Sequence, residues 1–176
     1  MLKLILTLVF ISLSLYASPF KKIDSLTTEQ YNNLIWIYQQ GKKYDLELTL
    51  TAIAWKESHF GKYPINLSDP SGGLFHNLLG SVCCRLNLTP NQWNQSRILE
   101  KLISDKEFAL QQAVAELLYW KSYWKVRNKR YLWKRMISSY NGGHKGNIRY
   151  YKDIVKKIRY LKRYFKWLNK NNPTFK

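Results

Sequence analysis

Apolar residues recur every three or four positions along most of the chain, which is the period of a helix that buries one face. The first such segment begins at Thr27 and Gln30, whose spacing is that of a capping box, and ends at Gly41. Asp45 is predicted to cap a second helix, which ends near residue 60. Two helices are therefore expected before the first loop.

The middle of the chain is predicted to hold a loop and two further helices. Prolines and glycines cluster over residues 61–73, which indicates a loop, and a short helix is expected over residues 74–79. Thr89 precedes a proline and is predicted to cap a helix that ends near residue 103. Ser104 and Glu107 have capping-box spacing and are predicted to begin a long helix.

The C-terminal part of the chain shows the same helical period. The long helix is expected to break briefly near Asn128 and to resume as far as Tyr140. A glycine-rich loop covers residues 141–146, and a last helix is predicted from about Asn147 to Leu168. Neither alternating, strand-like stretches nor internal repeats are visible in the sequence. The pattern therefore predicts one all-α domain.

Composition indicates a folded domain with a strong positive charge. The chain has 176 residues, of which 45% are hydrophobic and 15% aromatic, so disordered and collagen-like proteins are excluded. It carries 29 Lys and Arg against 11 Asp and Glu, a formal net charge of +18. Between Lys121 and Lys176 there are 18 basic residues and a single acid, Asp153. Some of these basic residues are expected to lie on solvent-exposed helix faces. The excess positive charge predicts a polyanionic partner.

The N-terminus predicts export. Lys3 precedes an almost wholly apolar run over residues 4–15, and small residues and a proline follow it. This pattern is typical of a secretory signal peptide over residues 1–17, which leaves one domain over residues 18–176. The apolar run is short for a bilayer span, although an uncleaved anchor and a buried N-terminal helix are the alternatives. We therefore expect a periplasmic protein whose polyanionic partner is the cell wall and not nucleic acid.

Few residues offer metal or thiol chemistry. The three histidines show neither His-x-x-x-His nor Glu-x-x-His spacing, so no metal site is predicted. Cys83 and Cys84 are adjacent, and neighbouring Cα atoms lie about 3.8 Å apart, below the disulfide range of roughly 4.4–6.8 Å. We therefore expect both cysteines to be reduced packing residues.

Glu57 is the acid whose position suggests catalysis. It lies near the C-terminal end of an apolar helix, where the helix dipole disfavours a negative charge. Trp55 and Phe60 are expected to exclude water from it. Both effects favour the uncharged form that a general acid requires. The alternative is an ordinary surface glutamate.

Four segments that are weak motifs individually occur in a specific order, at residues 52–58, 71–76, 138–143 and 150–155. They resemble, in turn, the A-[IV]-x-x-x-E-S, S-x-G-L-M-Q, A-Y-N-A-G and Y-V-x-x-V motifs of lytic transglycosylases of the soluble-lytic-transglycosylase type. The resemblance spans about residues 45–158 and implies a single compact helical domain with the goose-lysozyme-like fold.

The resemblance also implies roles for individual residues. Glu57 is the implied catalytic acid, and Tyr140 is implied to help orient it. The implied substrate-binding residues are Ser71, Phe75, His76, Tyr140, Asn141 and either Tyr150 or Tyr151. Helix packing is the alternative role for these tyrosines. Phe75, His76 and Gly142 replace the Met, Gln and Ala of the motifs, and His76 is expected to alter sugar binding and pH dependence.

The implied reaction cleaves the β-1,4 bond between N-acetylmuramic acid and N-acetylglucosamine in peptidoglycan glycan strands. It forms 1,6-anhydromuramic acid and needs no cofactor. Ordinary glycosidases use a second carboxylate, for which Asp69 is the nearest candidate, but it matches no family motif. Short chains with a leader resemble the small transglycosylases of secretion systems or pili, so such an assembly is an implied partner. We expect the enzyme to be a monomer.

Two alternatives stay open. The first is a muramidase of the same fold that uses water, and the second is a non-catalytic basic protein that binds an anionic polymer or membrane. In the enzyme hypotheses, the basic residues over 121–176 are expected to tether the protein to the anionic wall.

Overall fold

The computed structural model describes residues 18–127 and 130–172. Over these residues the elements, in order, are α1 (Lys21–Asp24), α2 (Thr28–Gly41), α3 (Glu47–Glu57), β1 (Ile65–Asn66), β2 (Ser71–Gly72), β3 (Asn77–Leu78), α4 (Leu79–Arg85), α5 (Gln92–Ser104), α6 (Lys106–Arg127), α7 (Leu132–Gly142) and α8 (Ile148–Asn171). Short 3-10 turns at Lys42–Tyr44 and Gly143–Lys145 lead toward α3 and α8. The prediction of an all-α domain is confirmed. The predicted signal peptide over residues 1–17 lies outside the described residues.

One apolar core joins the helices. Helix α3 packs between α2 and α8, and α7 packs against both α6 and α8. Leu34 of α2, Ile53 of α3, Leu117 of α6 and Leu161 of α8 are fully buried in this core. Helix α3 is therefore central, because a run of six consecutive residues before its last turn is buried on all sides.

The start of α3 differs from the prediction, although the start of α2 does not. The capping box of Thr27 and Gln30 is confirmed at the start of α2. Asp45 was predicted to cap α3, and this is wrong, because the residue before α3 is Leu46 and no side chain caps the helix. Asp45 instead ends the preceding 3-10 turn in the left-handed conformation, with φ 54°, which Asp tolerates better than most residues.

Two other helices begin one or two residues later than predicted. Asn91, and not Thr89, caps α5 by accepting a backbone N–H of its first turn. The carboxylate of Asp105, and not the hydroxyl of Ser104, accepts the N–H of Phe108 at 2.9 Å at the start of α6. In each case two capping residues lie close together, and the sequence alone does not decide which of them meets the free N–H groups.

The segment between α3 and α4 is more ordered than the predicted loop. Strands β1, β2 and β3 form a small antiparallel sheet, with Asn66 opposite Ser71 and Ser71 opposite Leu78. The short helix predicted over residues 74–79 is wrong, because β3 occupies part of it and α4 begins only at Leu79. Strands of two residues are too short to show an alternating pattern.

The C-terminal prediction agrees well with the structure. Helix α6 ends at Arg127 and α7 begins at Leu132, as the predicted break requires, although Asn128 itself lies outside the described residues. Asn147 caps α8, and its side chain accepts two backbone N–H groups of the first turn. Within the described part of the chain, no helix combines the length and the apolar character needed to cross a membrane.

Candidate active site

Glu57 is the last residue of α3, and hydrogen bonds fix the turn that follows it. The buried Ser58 hydroxyl donates to the carbonyl of Leu74 at 2.7 Å and accepts the N–H of Gly61 at 2.8 Å. The two residues after Ser58 have left-handed φ angles of 52° and 60°. This turn ends the helix at Glu57, three residues earlier than the sequence predicts.

Two side chains of α2 hold the same turn from the opposite side. The amide of Gln30 donates to the carbonyl of His59 at 2.8 Å, and the amide of Asn33 donates to the carbonyl of Phe60 at 3.1 Å. The position of Glu57 therefore depends on α2, a helix that contains none of the motif residues.

The loop after β2 brings His76 to Glu57. Gly73 in this loop has φ 76°, and a Cβ atom there would lie 2.5 Å from the carbonyl oxygen of Leu102. The positive φ favours glycine, and the close approach to the α5 backbone requires it. The backbone of the loop at Gly73 therefore packs directly against the backbone of α5.

Glu57 and His76 are in direct contact. Nδ1 of His76 lies 3.5 Å from Oε2 of Glu57, and the two side chains are only 10% and 15% exposed. Nε2 of His76 lies 2.7 Å from the carbonyl oxygen of Tyr63, so we assign a proton to Nε2. Burial by itself would lower the pKa of His76, but Glu57 and the Tyr63 carbonyl outweigh it and the pKa is raised above 6.5. Nδ1 can therefore exchange a proton with the Glu57 carboxyl group.

Tyr140 and Tyr150 complete the surroundings of Glu57. The Tyr140 hydroxyl donates to the carbonyl of Phe75 at 3.0 Å, and its ring stacks on that of Tyr150 with centroids 6.4 Å apart. Burial, followed by the charge of Glu57, raises the pKa of both tyrosines well above 10. The buried Tyr150 hydroxyl makes no hydrogen bond of standard geometry within the described residues, although Glu57 is near enough to act on its pKa.

The structure changes the implied roles of two aromatic residues. Phe75 is fully buried, so its side chain cannot line a groove, and only its backbone carbonyl belongs to the site. Tyr151 packs edge-to-face on Trp133 at 5.6 Å and does not line the cleft at Glu57. Tyr150, and not Tyr151, is therefore the tyrosine of this segment that lies beside Glu57.

The water exclusion expected from Trp55 and Phe60 also has a different source. Their rings stack on each other at 5.9 Å, and neither lines the cleft. The side chains next to the Glu57 carboxyl group are those of His76, Tyr140 and Tyr150.

A cleft of about 650 Å³ opens at Glu57. Four other predicted residues line it, namely Ser71, His76, Tyr140 and Asn141. Further lining residues were not identified from the sequence, among them Asn66, Arg85, Glu116, Tyr119, Trp120 and His144. Most of these lie on α4, on α6 and in the turn after α7, which meet only in the folded protein. No local sequence signal marks them.

Two further carboxylates belong to this cleft. Glu116 forms an ion pair with Arg85 and accepts a hydrogen bond from Nε1 of Trp120 at 2.7 Å. Asp69, the nearest candidate for a second catalytic acid, also lines the cleft and is exposed. The cleft therefore offers one acid in contact with a histidine, one in an ion pair and one open to solvent.

The loop after α7 explains one departure from the family motifs. Oδ1 of Asn141 accepts a hydrogen bond from Nδ2 of Asn147 at 2.7 Å, which joins the two ends of the loop. A Cβ atom on Gly142 would lie 2.6 Å from the backbone nitrogen of Asn147. Alanine, the residue of the motif, would therefore push this loop apart.

The two cysteines occupy different environments. Cys83 is buried in the core, as predicted for a packing residue, and burial raises the pKa of its thiol. Cys84 is exposed and lines the cleft, so the prediction that it packs in the core is wrong. Adjacent residues on a helix point in different directions, and only one of them can face the core.

The described residues contain no cluster of side chains suited to bind a metal ion. Within residues 18–127 and 130–172, no three His, Cys, Asp or Glu side chains lie close enough together to hold one. The expectation that the protein needs neither metal nor cofactor stays a prediction.

Comparisons with protein-family models, with curated proteins and with solved structures give no match for this chain. A function must therefore be inferred from the motif residues and from the geometry around Glu57.

Proposed function

We propose that the protein is a lytic transglycosylase that cleaves the β-1,4 bond between N-acetylmuramic acid and N-acetylglucosamine in peptidoglycan. One observation carries the proposal: the four motif segments, far apart in the sequence, meet around one carboxyl group. They contribute Glu57, His76, Tyr140 and Tyr150. The goose-lysozyme-like fold is part of the same proposal, and the all-α architecture supports it.

In the first step, Glu57 donates its proton to the glycosidic oxygen as the bond from that oxygen to C1 of muramic acid breaks. The acetamido oxygen of the same sugar attacks C1, so no second protein carboxylate is needed. The contact with His76 and the small exposure of Glu57 support this role, because they keep bulk water from the carboxyl group.

In the second step, the Glu57 carboxylate takes the proton of the C6 hydroxyl. The C6 oxygen attacks C1 and displaces the acetamido oxygen, which closes the 1,6-anhydro ring and returns Glu57 to its protonated form. The buried Tyr150 hydroxyl, which lies near Glu57 and makes no other hydrogen bond in the described residues, is suited to stabilise the carboxylate between the two steps.

Replacement of Glu57 tests the proposal directly. We expect purified protein to clear a peptidoglycan gel and Glu57→Gln to abolish clearing, because glutamine has a similar shape but cannot transfer the proton. Circular dichroism should show that the variant keeps its helical content. Clearing by a folded Glu57→Gln protein would refute the assignment, and failure of the unaltered protein to clear the gel would favour the non-catalytic binder.

A water-using muramidase is the second candidate, because Asp69 and Glu116 lie in the same cleft. Mass spectrometry of the released fragments separates the two reactions, since the anhydro product is lighter than the hydrolysis product by one water molecule. Asp69→Asn and Glu116→Gln provide the matched test. A muramidase that uses either acid would lose activity in that variant, whereas the transglycosylase route does not pass a proton through them.

The partner and location remain part of the proposal. The predicted leader over residues 1–17 supports export to the periplasm, where glycan strands are found. The small size of the chain supports recruitment to a secretion or pilus assembly and action as a monomer. Fractionation of cells that make the full chain, with detection of the processed protein, tests export.

A further inference from the structure

One face of α8 carries an uninterrupted row of basic side chains. Seven exposed residues follow one another at spacings of three and four: Arg149, Lys152, Lys156, Arg159, Arg163, Lys166 and Lys170. We call this row the basic stripe. At about 100° per residue the seven positions fall within an arc of roughly 100°, and at 1.5 Å per residue the stripe is about 32 Å long.

No exposed acidic or apolar residue interrupts the basic stripe between Lys152 and Lys170, although the apolar Ile148 is exposed beside its first residue, Arg149. Between Lys152 and Lys170, every exposed residue of α8 is Lys, Arg or Asn. In the described part of the chain no stripe residue forms an ion pair with an acid. Asp153, the one acid of this helix, is engaged by Lys56 and Lys157, neither of which belongs to the stripe.

The basic stripe also lies away from the candidate active site. The buried residues of α8, among them Tyr150, Ile154 and Leu161, cluster on the side of the helix roughly opposite to the stripe. Tyr150 is the residue of this helix that lies beside Glu57. A surface bound to the stripe would therefore leave the cleft open, and a glycan strand held at Glu57 could not lie along the stripe without passing around the helix.

We propose that the basic stripe docks the protein on an anionic phospholipid bilayer, through contacts with headgroup phosphates and without insertion into the lipid. A straight row of seven cations can meet a planar array of negative charges all at once. The absence of exposed apolar side chains from Lys152 to Lys170 excludes an inserted helix face, and the absence of exposed aromatic rings removes the stacking that single-stranded nucleic acids use. Docking does not depend on the proposed reaction. Its consequence does rest on the proposed function: the protein would act on the wall from the membrane surface.

The test is sedimentation of the exported protein with lipid vesicles. One set of vesicles is phosphatidylcholine alone, and the other contains phosphatidylglycerol in about equal proportion. The stripe variant carries Lys152→Gln, Arg159→Gln, Arg163→Gln and Lys170→Gln. The matched control carries Lys22→Gln, Lys43→Gln, Lys62→Gln and Lys101→Gln, which removes the same net charge from exposed positions outside the stripe. Purified sacculi and duplex DNA serve as competing polyanions.

We expect the unaltered protein and the control variant to bind the mixed vesicles but not phosphatidylcholine. Each stripe charge contributes about fivefold to vesicle binding, so the stripe variant, which lacks four of them, should bind about 600-fold less. Raising the salt from about 0.1 M to 1 M should release the unaltered protein, because the Debye length falls to about 3 Å.

Equal losses in the stripe and control variants would overturn the proposal, since net charge and not the stripe would then govern binding. Binding that persists at about 1 M salt would overturn it as well, because insertion would be required. Stripe-dependent binding to sacculi or DNA, with no binding to vesicles, would assign the stripe to another polyanion. Gel clearing by the stripe variant at the unaltered rate would leave the catalytic proposal standing whichever of these results is found.

Discussion

Nδ1 of His76 lies 3.5 Å from Oε2 of Glu57, while Nε2 of the same ring lies 2.7 Å from the carbonyl oxygen of Tyr63. The Tyr63 carbonyl oxygen holds a proton on Nε2 of His76. A proton between Nδ1 of His76 and the Glu57 carboxyl group is therefore shared by these two groups. The catalytic carboxyl group of the proposed enzyme is therefore one half of a coupled pair.

The first prediction concerns the pH dependence of this pair. The pKa of His76 is raised above 6.5, so the pair keeps one proton until the pH passes this raised value. His76→Gln removes the imidazole that helps to hold this proton. We therefore expect the alkaline limb of the kcat/KM profile to move toward lower pH. The measurement is a pH–rate profile with a soluble peptidoglycan fragment.

His59→Gln is the control for this experiment, because His59 does not line the cleft. Its profile should coincide with that of the unaltered protein. Tyr140 and Tyr150 do not interfere, since burial keeps their pKa values far above this range. Coincident alkaline limbs for His76→Gln and the unaltered protein would show that His76 does not share the proton.

The second prediction compares the two neighbouring tyrosines at the start of α8. Tyr150→Phe removes a buried hydroxyl that makes no hydrogen bond of standard geometry in the described residues, so thermal stability should be unchanged or slightly higher. The rate should nevertheless fall by about tenfold or more, because a hydrogen bond to a charged group contributes about 1.5–3 kcal/mol. Tyr151→Phe should keep its packing on Trp133 and change the rate by less than about twofold. Equal rates for the two variants would show that the Tyr150 hydroxyl has no role in the reaction.

The third prediction concerns Gly73, whose backbone touches α5. Alanine would have to adopt φ 76° and place a Cβ atom 2.5 Å from the Leu102 carbonyl oxygen. We expect Gly73→Ala to lower the free energy of unfolding by on the order of 3 kcal/mol. Gly80 is the matched control, because a Cβ atom there meets nothing within 4 Å. Gly80→Ala should raise the free energy of unfolding by about 0.5–1 kcal/mol, as expected for a glycine within a helix. Urea unfolding followed by circular dichroism measures both, and equal stabilities would contradict the close contact.

The fourth prediction concerns the two thiols. Iodoacetamide should label Cys84 in the native protein, because that side chain is exposed on the cleft, and should label Cys83 only after unfolding. Mass spectrometry should therefore find one adduct before denaturation and two after it. Cys84→Ser should show none in the native state. An absence of adducts after denaturation without reductant would show that the cysteines are oxidised.

Local signals in the sequence predicted much of the fold and part of the site. The capping box at Thr27, the break after α6 and the start of the last helix near Asn147 depend on residues within one helical turn, and all three are found in the structure. Glu57 at the end of an apolar helix has the same local character. These features are readable because their partners are close in sequence.

Features that depend on distant partners could not be predicted. Arg85 and Glu116 reach the cleft from α4 and α6, and their ion pair joins positions about thirty residues apart. The sheet was missed because each strand has two residues. Phe75 was predicted to line the groove because it occupies a substrate-binding position of the motif. Its side chain is instead buried by helices that are distant in the sequence.

The hydrogen bonds from Gln30 and Asn33 to the turn after Glu57 have a consequence for when the protein can act. Every motif segment lies between residues 45 and 158, yet that stretch lacks the helix that closes this turn. A fragment limited to residues 45–158 would contain all the motif residues. It would lack the two hydrogen bonds from α2 that hold the turn after Glu57. We therefore expect Glu57 to reach its observed position only once α2 has packed on this turn, so the proposed reaction should require residues on the N-terminal side of the motif segments.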